Sequence, residues 1–425
     1  MKEPTVQAFV GVDWGTEEHA VCAVSPTGEV LWQRTAKHDA DSLDQMCGWL
    51  LELGMGDPQA VHVAIEVPHG VVVDTLQDRD FPTHSINPKQ LDRFRDRFSP
   101  AGAKDDSRDA HVLGDSLRTD GHRFRRLCIE RPEVVELREW SRMSDELRTE
   151  HNRLTNRVRE QLRRYYPQFL QIGEDVGKDW VLDLWELVPT PDRAKRVREK
   201  TLAGFLKGHR IRRVDAVSLR SVLLRPPVTV SPGTVAAACA HIRLLAERIR
   251  VLNRQLKECH KKLDWLCDAL IPPSPEDETE GEMQAEHHDV EILRSMVGIG
   301  SIILATMLGE AWWAIKARDI DVLRTLGGAA PVTKRSGKRL TVVMRKACNP
   351  RLRDAYYHWA RVSVQKDPRS RHRYAQLRAK GHSHGRALRT VADRLLTVLC
   401  AMLRNGTLYD VERGKDVAYK LAAAG

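Results

Sequence analysis

The sequence predicts a multidomain chain in which a mixed α/β sheet is followed by a helical region and then by a mainly helical domain. Three observations predict this order. Strand-length apolar runs mix with helical patterns in the first third, two long helical patterns fill the middle, and an acidic, proline-rich stretch precedes the last third. We therefore expect domains at residues 1–130, 131–270 and 291–425, with a linker at 271–290.

The first domain begins with strands and continues with alternating helices and strands. Residues 6–35 contain three strand-like runs, QAFVGVDW, HAVCAVS and GEVLWQR, and a turn signal from Pro26 to Gly28 joins the last two. Strands in a meander followed by alternating elements predict a mixed sheet. The later elements are expected as a helix at 41–54, a strand ending at Glu66, a helix near 70–79, a short strand in PTHSIN and a helix after Pro88.

Four carboxylates predict the chemistry of this domain. Asp13 in GVDWG and Glu66 in AIEVPHG each end a strand-like run, whereas Asp106 and Asp109 lie three residues apart in the helical stretch AKDDSRDA. That spacing puts the pair on one helical face, although Asp105 would share a face with Asp109 as well. Carboxylates at strand ends that face a helix-borne pair form a pocket for hard cations, which bind carboxylate and phosphate oxygens together. A single such residue is more often a turn or cap residue, so it is the combination that predicts a metal site for phosphodiester cutting or transfer.

Composition limits the classes of protein and partner. The chain has 68 Lys and Arg against 58 Asp and Glu, a net charge of +10, which favours a polyanionic partner without identifying it as nucleic acid. Eight cysteines without a CxxC pair support neither a zinc module nor a disulfide framework. The N-terminus lacks a signal-peptide core, and no apolar run approaches the roughly 18 residues needed to span a bilayer, so we expect a soluble cytoplasmic protein.

Helical patterns over residues 134–164 and 242–270 predict two long helices in the middle of the chain. Apolar residues of the second, from Ile242 to Leu270, alternate spacings of three and four over four heptads, as in a coiled-coil seam. The two helices could pack against each other within one chain, or the seam could form a subunit interface. Sequence does not separate these alternatives, and the interface is the favoured interpretation.

The stretch from Ile271 to Asp289 is the clearest domain boundary. Three prolines lie at its start, and seven acids without a Lys or Arg lie between Glu276 and Asp289, so the stretch has little apolar surface to bury. We expect a flexible linker that lets the last domain move relative to the first. The side chains of the adjacent His287 and His288 diverge, so no metal site is expected there.

The last domain contains motifs for binding phosphate. LRSMVGIGSIILATMLGE resembles the hairpin of a helix-hairpin-helix module, in which the backbone at Gly298 and Gly300 approaches a phosphate and Ser301 caps the following helix. A glycine pair between helices is equally often only a tight turn. Two stretches without acids, Lys334–Arg353 with eight basic residues and Arg369–Arg389 with seven, favour phosphate contacts. The candidates in the first stretch are Lys334, Arg335, Lys338, Arg339, Arg345 and Lys346.

Ser336 lies in a predicted loop between Lys334 and Lys338, with Gly337 directly after it. On chemistry alone, a turn residue or a phosphate donor is the better interpretation. A serine hydroxyl is a poor nucleophile without a base or a metal, and no histidine is close in sequence. Any activation has to come from elsewhere, for which the carboxylate-bound metal is the candidate.

Together these motifs resemble the insertion sequence 110 family of transposases, which are DEDD serine recombinases guided by a bridge RNA. The resemblance is found in GVDWG, AIEVPHG, AKDDSRDA, VGIGSIILATMLGE, LGGAAPVTKRSGK and GRALRTVADRLL, and it matches the middle of the chain only loosely. It implies an RNase H-like, RuvC-like first domain. The metal ligands that it implies are Asp13, Glu66, Asp106 and Asp109, with Asp106 selected over Asp105 because the family pattern fits Lys104 to Ala110.

The resemblance also implies a mechanism and partners. Ser336, activated by Mg²⁺ or Mn²⁺ at the four carboxylates, would attack the scissile phosphate and leave a phosphoserine on one fragment and a free hydroxyl on the other. A guide RNA from the element would pair with donor and target DNA. The protein would act as a dimer or tetramer, in the cytoplasm, and on the nucleoid when it is bound to DNA.

Other classes of protein share part of this pattern. A RuvC-like nuclease of the junction-resolving type would keep the carboxylates and use water as the nucleophile, and a binding scaffold would need no carboxylates at all. A sugar kinase would need a second α/β half with a phosphate loop, which the basic helical C-terminal third does not offer. Tyrosine recombination is disfavoured because no Arg/His constellation is visible around Tyr356, Tyr357 or Tyr374.

Overall fold

The computed structural model describes residues 5–86, 88–98, 105–271, 289–337 and 339–410, without the side chains of residues 88, 89, 98 and 339. The chain divides into two compact units, Met1–Arg131 and Pro132–Gly425. Residues 272–288 of the expected linker, with its two histidines, lie outside the described residues. Asp289 and Val290, the last residues of that expected linker, are instead buried at the start of a helix, so the predicted end of the linker is wrong.

A six-stranded sheet organises the first unit, which confirms the prediction of a mixed α/β domain. The strand order is β3-β2-β1-β4-β5-β6, with β4 parallel to β1 and β5 and the other neighbours antiparallel, consistent with an RNase H-like core. The strands are β1 (Ala8–Asp13), β2 (Glu18–Val24), β3 (Val30–Lys37), β4 (Val61–Ile65), β5 (Thr83–Ser85) and β6 (Arg125–Arg126). The helices are α1 (Ala40–Leu53), α2 (Val71–Asp78), α3 (Pro88–Phe98) and α4 (Asp106–Asp120).

The alternation of side chains along the strands gives the sheet two apolar faces. Val10, Val12 and Val63 pack on one face with α1 and α2. Phe9 and Ala64 pack on the other face with α4. The odd-numbered residues of β1 therefore point towards α4, and this parity positions the candidate site.

Two long helices dominate the first part of the second unit. The apolar seam of α10 is buried against α5 and its neighbours, with Ile242, Leu245 and Ile249 in one core and Leu263 and Leu266 in another. The seam is therefore used within a single chain, and the favoured interpretation of a subunit interface is wrong for these residues. The helices are α5 (Pro132–Tyr165), α6 (Asp179–Leu187), α7 (Pro191–Arg196), α8 (Glu199–Gly208), α9 (Ala216–Leu223) and α10 (Pro232–Ala269).

The described residues from 289 to 410 form helices and a two-stranded hairpin. Large apolar side chains such as Trp359 and Leu396 are fully buried in the core that these helices share with the ends of α5 and α10. Within the described residues, no helix combines the length and the apolarity that crossing a bilayer requires. The elements are α11 (289–295), α12 (Ser301–Lys316), α13 (Ile320–Leu326), β7 (Val332–Ser336), β8 (Arg339–Val343), α14 (Pro350–Lys366), α15 (Pro368–Ala379) and α16 (His384–Asn405).

Candidate metal centre and nucleophile

Asp13 and Glu66 lie at the ends of neighbouring parallel strands. Asp13 is the last residue of β1, and Glu66 directly follows β4. The two strands pair with Val12 opposite Ile65, so the same register places Asp13 and Glu66 side by side at the carboxyl ends. By the period-two alternation of strands, both residues fall on the face that α4 covers.

A glycine contact brings α4 onto β1. A Cβ atom at Gly11 would lie 1.9 Å from the Ala110 carbonyl oxygen and 2.6 Å from the Gly114 amide nitrogen, which are backbone atoms of α4. Only glycine permits this approach, because backbone atoms packed at this density cannot move aside. The helix that carries Asp106 and Asp109 in its first turn is therefore held against the strand that ends in Asp13.

Three carboxylates at the start of α4 have different surroundings. Asp105 is the N-cap residue and Asp106 is the first helical residue, and both are exposed. Asp109 lies one turn further and is only 2% exposed. Negative side chains are favourable here because the N-terminal end of a helix carries partial positive charge.

The electrostatics of Asp13 show that the four predicted carboxylates share one environment. Burial raises the pKa of the Asp13 carboxyl to about 6. The negative charges of Asp109, Asp106 and Glu66 act in the same direction. The positive charge of Arg95 opposes them. Asp106 is thus among the charges that act most strongly on Asp13, and Asp105 is not.

The chemistry of these donors fits a hard divalent cation. Like charges held together raise the energy of the charged state unless a cation compensates them. Carboxylate oxygens are the ligands that Mg²⁺ and Mn²⁺ prefer in proteins. Across the described ranges, however, no three acidic, histidine or cysteine side chains stand close enough to coordinate one ion.

Arg95 of α3 supplies the positive charge that lies in this cluster. Its Nε donates to Asp109 Oδ1 at 2.6 Å and its Nη2 to Asp109 Oδ2 at 2.8 Å, a two-pronged contact. Nη2 also lies 3.8 Å from Glu66 Oε2, and Nη1 donates to Asp92 at 2.5 Å. The sequence did not single out this residue, because nothing in the spacing of α3 distinguishes Arg95 from Arg93 or Arg97.

The turn after Asp13 is held by a buried histidine that the sequence did not single out. The amide of Gly15 donates to His19 Nδ1 at 3.3 Å, and His19 Nε2 lies 3.0 Å from His38 Nδ1. Burial lowers the pKa of His19, so its neutral form is favoured. This turn leaves Trp14 44% exposed beside the cluster.

Ser336 is the last residue of β7 and not a loop residue as predicted. It pairs with Arg339 of β8, and Gly337, which directly follows it, has a φ of 54° that favours glycine. Ser336 is exposed, and so are the apolar side chains Leu340 and Val342 of β8. The hydroxyl is therefore accessible near the tip of a hairpin that has little packing of its own.

The predicted phosphate-binding basic residues differ in their surroundings. Lys334, Arg335 and Lys346 are exposed, whereas Arg345 is half-buried and its Nε donates to the Ala330 carbonyl at 3.3 Å. Lys338 and the side chain of Arg339 lie outside the described residues.

The two glycines of the predicted helix-hairpin-helix element have different roles. Gly298 has a φ of 94°, and a Cβ there would lie 3.0 Å from both Ser363 Oγ and the Trp359 carbonyl oxygen, so it is a packing position. Gly300 is the N-cap of α12, with no described atom within 4 Å of the place of its Cβ. The expectation that Ser301 caps α12 is wrong, because Ser301 is the first helical residue and no described side chain caps this end.

A buried acid supports the segment after the hairpin. Glu310 of α12 accepts from Arg142 Nε at 3.0 Å and from Asn349 Nδ2 at 2.8 Å. Burial alone would raise the pKa of Glu310, but Arg142, Asn349 and Arg351 hold it below its ordinary value. Asn349 also caps α14, so Glu310 connects α5 and α12 to the helix that follows β8. The sequence shows this residue in LGE without indicating its partners.

Comparison with known proteins places these features in a family. Residues 10–167 match a transposase domain of the DEDD type found in IS110 elements, and residues 290–375 match the transposase IS116/IS110/IS902 family. The "Mini-circle putative transposase for IS117" of Streptomyces coelicolor is 30% identical over 423 residues, which cover 97% of this chain and 98% of that protein. The "Putative transposase y4uE" of Sinorhizobium fredii is 48% identical over 252 residues, 59% of this chain and 67% of that protein.

The family matches cover the two parts of the chain that carry the carboxylate cluster and the Ser336 hairpin, and the relative from Streptomyces aligns over nearly its whole length. On these grounds the chain belongs to the IS116/IS110/IS902 family of transposases.

Proposed function

We propose that this transposase cuts and rejoins DNA through a phosphoserine formed at Ser336, assisted by a divalent cation, Mg²⁺ or Mn²⁺, at the carboxylate cluster. The ligands would be Asp13, Glu66, Asp106 and Asp109. The observation that carries the proposal is the convergence of these four residues, from two strand ends and one helix, in one electrostatic environment. As a transposase, the protein acts on DNA.

The cluster would bind the scissile phosphate through a shared cation. Such a cation would neutralise charge on the phosphate oxygens and favour the loss of a proton from an attacking hydroxyl. The packing of α4 on β1 holds the backbone that carries Asp13, Asp106 and Asp109 in a fixed arrangement, so the adjustment needed to bind a cation is one of side chains.

Ser336 would supply the nucleophile. Its oxygen forms a bond to phosphorus while the bond from phosphorus to one DNA oxygen breaks. The proton lost by Ser336 is balanced by the proton that the leaving oxygen gains as a free hydroxyl. Because the phosphoserine keeps an ester bond, a second hydroxyl can attack it and rejoin DNA without another energy source. Both the cluster and the hairpin must act on the same phosphodiester bond.

Partners beyond DNA are proposed from charge and from the family resemblance. The net charge of +10 and the exposed Lys334, Arg335 and Lys346 support contacts to nucleic-acid backbone. Guidance by an RNA of the element and assembly into a dimer or tetramer rest on the resemblance. Since the α10 seam is buried within the chain, an assembly would have to use other surfaces.

The decisive experiment looks for DNA-linked protein. Purified protein, the element's flanking noncoding RNA and matched donor and target DNA are incubated with Mg²⁺ and separated on a denaturing gel. We expect an adduct with the wild type and with Thr333→Ala, a control on the same hairpin, and none with Ser336→Ala. Omission of the RNA should abolish the adduct as well.

Each other outcome rejects a defined part of the proposal. Hydrolysed DNA ends without an adduct would favour the nuclease that uses water. An adduct that persists in Ser336→Ala would assign the nucleophile elsewhere. A full yield of adduct with Asp13→Asn or Glu66→Gln would show that the cluster takes no part in the reaction. A full yield of adduct without RNA would show that no guide RNA is needed.

A further inference from the structure

We infer that Arg95 is a built-in counterion of the carboxylate cluster, which a divalent cation must displace from Asp109 in order to bind. The inference rests on the metal site proposed above and adds a regulator of that site. It predicts that the chain binds divalent cations more weakly with Arg95 than without it.

The contacts of Arg95 engage both oxygens of a buried carboxylate. Nε and Nη2 donate to the two oxygens of Asp109 at 2.6 and 2.8 Å, and the Asp109 side chain is 3% exposed. A paired guanidinium of this geometry is a strong partner for a carboxylate, and a buried carboxylate without a partner is costly. In the free protein, Arg95 therefore stabilises Asp109 through the same two carboxylate oxygens that a metal ion would need.

The charge of Arg95 acts against a second cation. Its guanidinium also lies 3.8 Å from Glu66 and opposes the negative field at Asp13. A positive charge at this range changes the binding of another cation, such as a proton, by about ten- to a thousandfold. A divalent ion that arrives while Arg95 stays in place meets this repulsion.

The Arg95 guanidinium has a second acidic partner that could hold it after it leaves Asp109. Its third nitrogen, Nη1, donates to Asp92 at 2.5 Å, and Asp92 lies one turn earlier on α3 with a side chain that is 65% exposed. The guanidinium can leave Asp109 and keep this partner on the solvent side of α3. Displacement thus requires a side-chain rotation and no unfolding of the helix.

The first unit contains a matched control in Arg118. This residue pairs with Asp115, whose side chain is 10% exposed, and Arg118 is 24% exposed against 26% for Arg95. Both arginines therefore neutralise an inward-facing aspartate of α4. Of these two described arginines, Arg95 alone contacts a predicted ligand of the cluster.

The test measures Mn²⁺ binding to the full chain, from the electron paramagnetic resonance signal of free Mn²⁺, together with thermal unfolding. Arg95→Met should bind Mn²⁺ at least about tenfold more tightly than the wild type. Without Mn²⁺ it should unfold at a lower temperature, and Mn²⁺ should raise its midpoint more than that of the wild type. Arg118→Met should also unfold earlier but bind Mn²⁺ with the affinity of the wild type.

Arg95→Lys guards against a variant that fails to fold. It keeps one positive charge but cannot engage both oxygens of Asp109, so its affinity should lie between those of the wild type and Arg95→Met. Unchanged or weaker Mn²⁺ binding in Arg95→Lys and in any folded Arg95→Met overturns the inference.

The failure of the metal site itself would look different. If Asp13→Asn, Glu66→Gln and Asp106→Asn leave Mn²⁺ binding unchanged, the proposed site is wrong. If these changes abolish binding while the Arg95 variants bind like the wild type, the site stands and only the role of Arg95 is rejected.

Discussion

The carboxylate cluster and the Ser336 hairpin are built in opposite ways. The cluster lies where two paired strands end beneath a helix that touches strand backbone, and Asp109 within it is 2% exposed. The hairpin has two strands whose apolar side chains Leu340 and Val342 are 64% and 55% exposed. An isolated pair of strands is marginally stable in water, so we expect the hairpin to gain order from what it binds. The fold itself positions the cluster, whereas the proposed nucleophile, Ser336, lies on an exposed hairpin.

The largest expected effect is a loss of stability in the first unit, where α4 packs on β1. Gly11→Ala places a methyl group against backbone atoms of α4, so we expect the free energy of unfolding to fall by about 3 kcal/mol. Denaturant unfolding followed by circular dichroism measures this loss. Gly48→Ala is the control, since no described atom lies within 4 Å of its Cβ position in α1, and it should stabilise by about 0.5–1 kcal/mol. Equal effects of the two changes would contradict the close approach of β1 and α4.

The second prediction concerns Glu310, which holds the segment that follows the hairpin. Glu310→Gln removes the charge that Arg142 and Arg351 share, so we expect a loss of about 2 kcal/mol in unfolding free energy and a lower adduct yield. Glu139→Gln is the control, because Glu139 lies 3.5 Å from Arg142 but its side chain is 61% exposed, and it should cost less than about 0.5 kcal/mol. A normal yield in Glu310→Gln would show that the hairpin does not depend on this acid.

A smaller effect concerns binding by the exposed region. Lys334→Ala and Arg335→Ala should each weaken DNA binding by about three- to tenfold and reduce the slope of log affinity against log salt by about one. Fluorescence anisotropy at several salt concentrations measures both quantities. Lys207→Ala, an exposed change on α8, should alter neither. An unchanged slope in both hairpin variants would remove the hairpin from the nucleic-acid contact surface.

The smallest effect sharpens the assignment of ligands within the cluster. Asp105→Asn should change Mn²⁺ affinity by less than about twofold. Asparagine is an equally good N-cap residue, and Asp105 is not among the charged residues that most strongly shift the pKa of Asp13. Asp106→Asn should weaken binding by at least about tenfold. The reverse order in a Mn²⁺ titration would assign Asp105 as the ligand.

The carboxylate cluster was predictable from the sequence, but the packing around the hairpin was not. Strand alternation and strand ends are local properties, so Asp13 and Glu66 were recognisable, and helical spacing brought in Asp109 with either neighbour. The surroundings of Ser336 were predicted as a loop because short strands rich in Lys and Arg carry a weak β signal. The seam of the second long helix was correctly predicted as buried. Packing of the two long helices within one chain was one of the two alternatives, but the subunit interface was favoured over it, and the structure shows the packing within the chain.

The sequence by itself determined the mixed sheet of the first unit and the helical character of the rest, and it supplied the carboxylates that we propose as cation ligands, since these depend on periodicity and side-chain chemistry. Only the tertiary structure decided that Arg95 meets Asp109, that Glu310 joins three helices and that the α10 seam packs within one chain. An apolar stripe on a helix indicates that it packs against other apolar residues, and an arginine indicates that it pairs with an acid. The residues that fill these roles are distant in the chain, so their identity follows only from the packing of the whole unit.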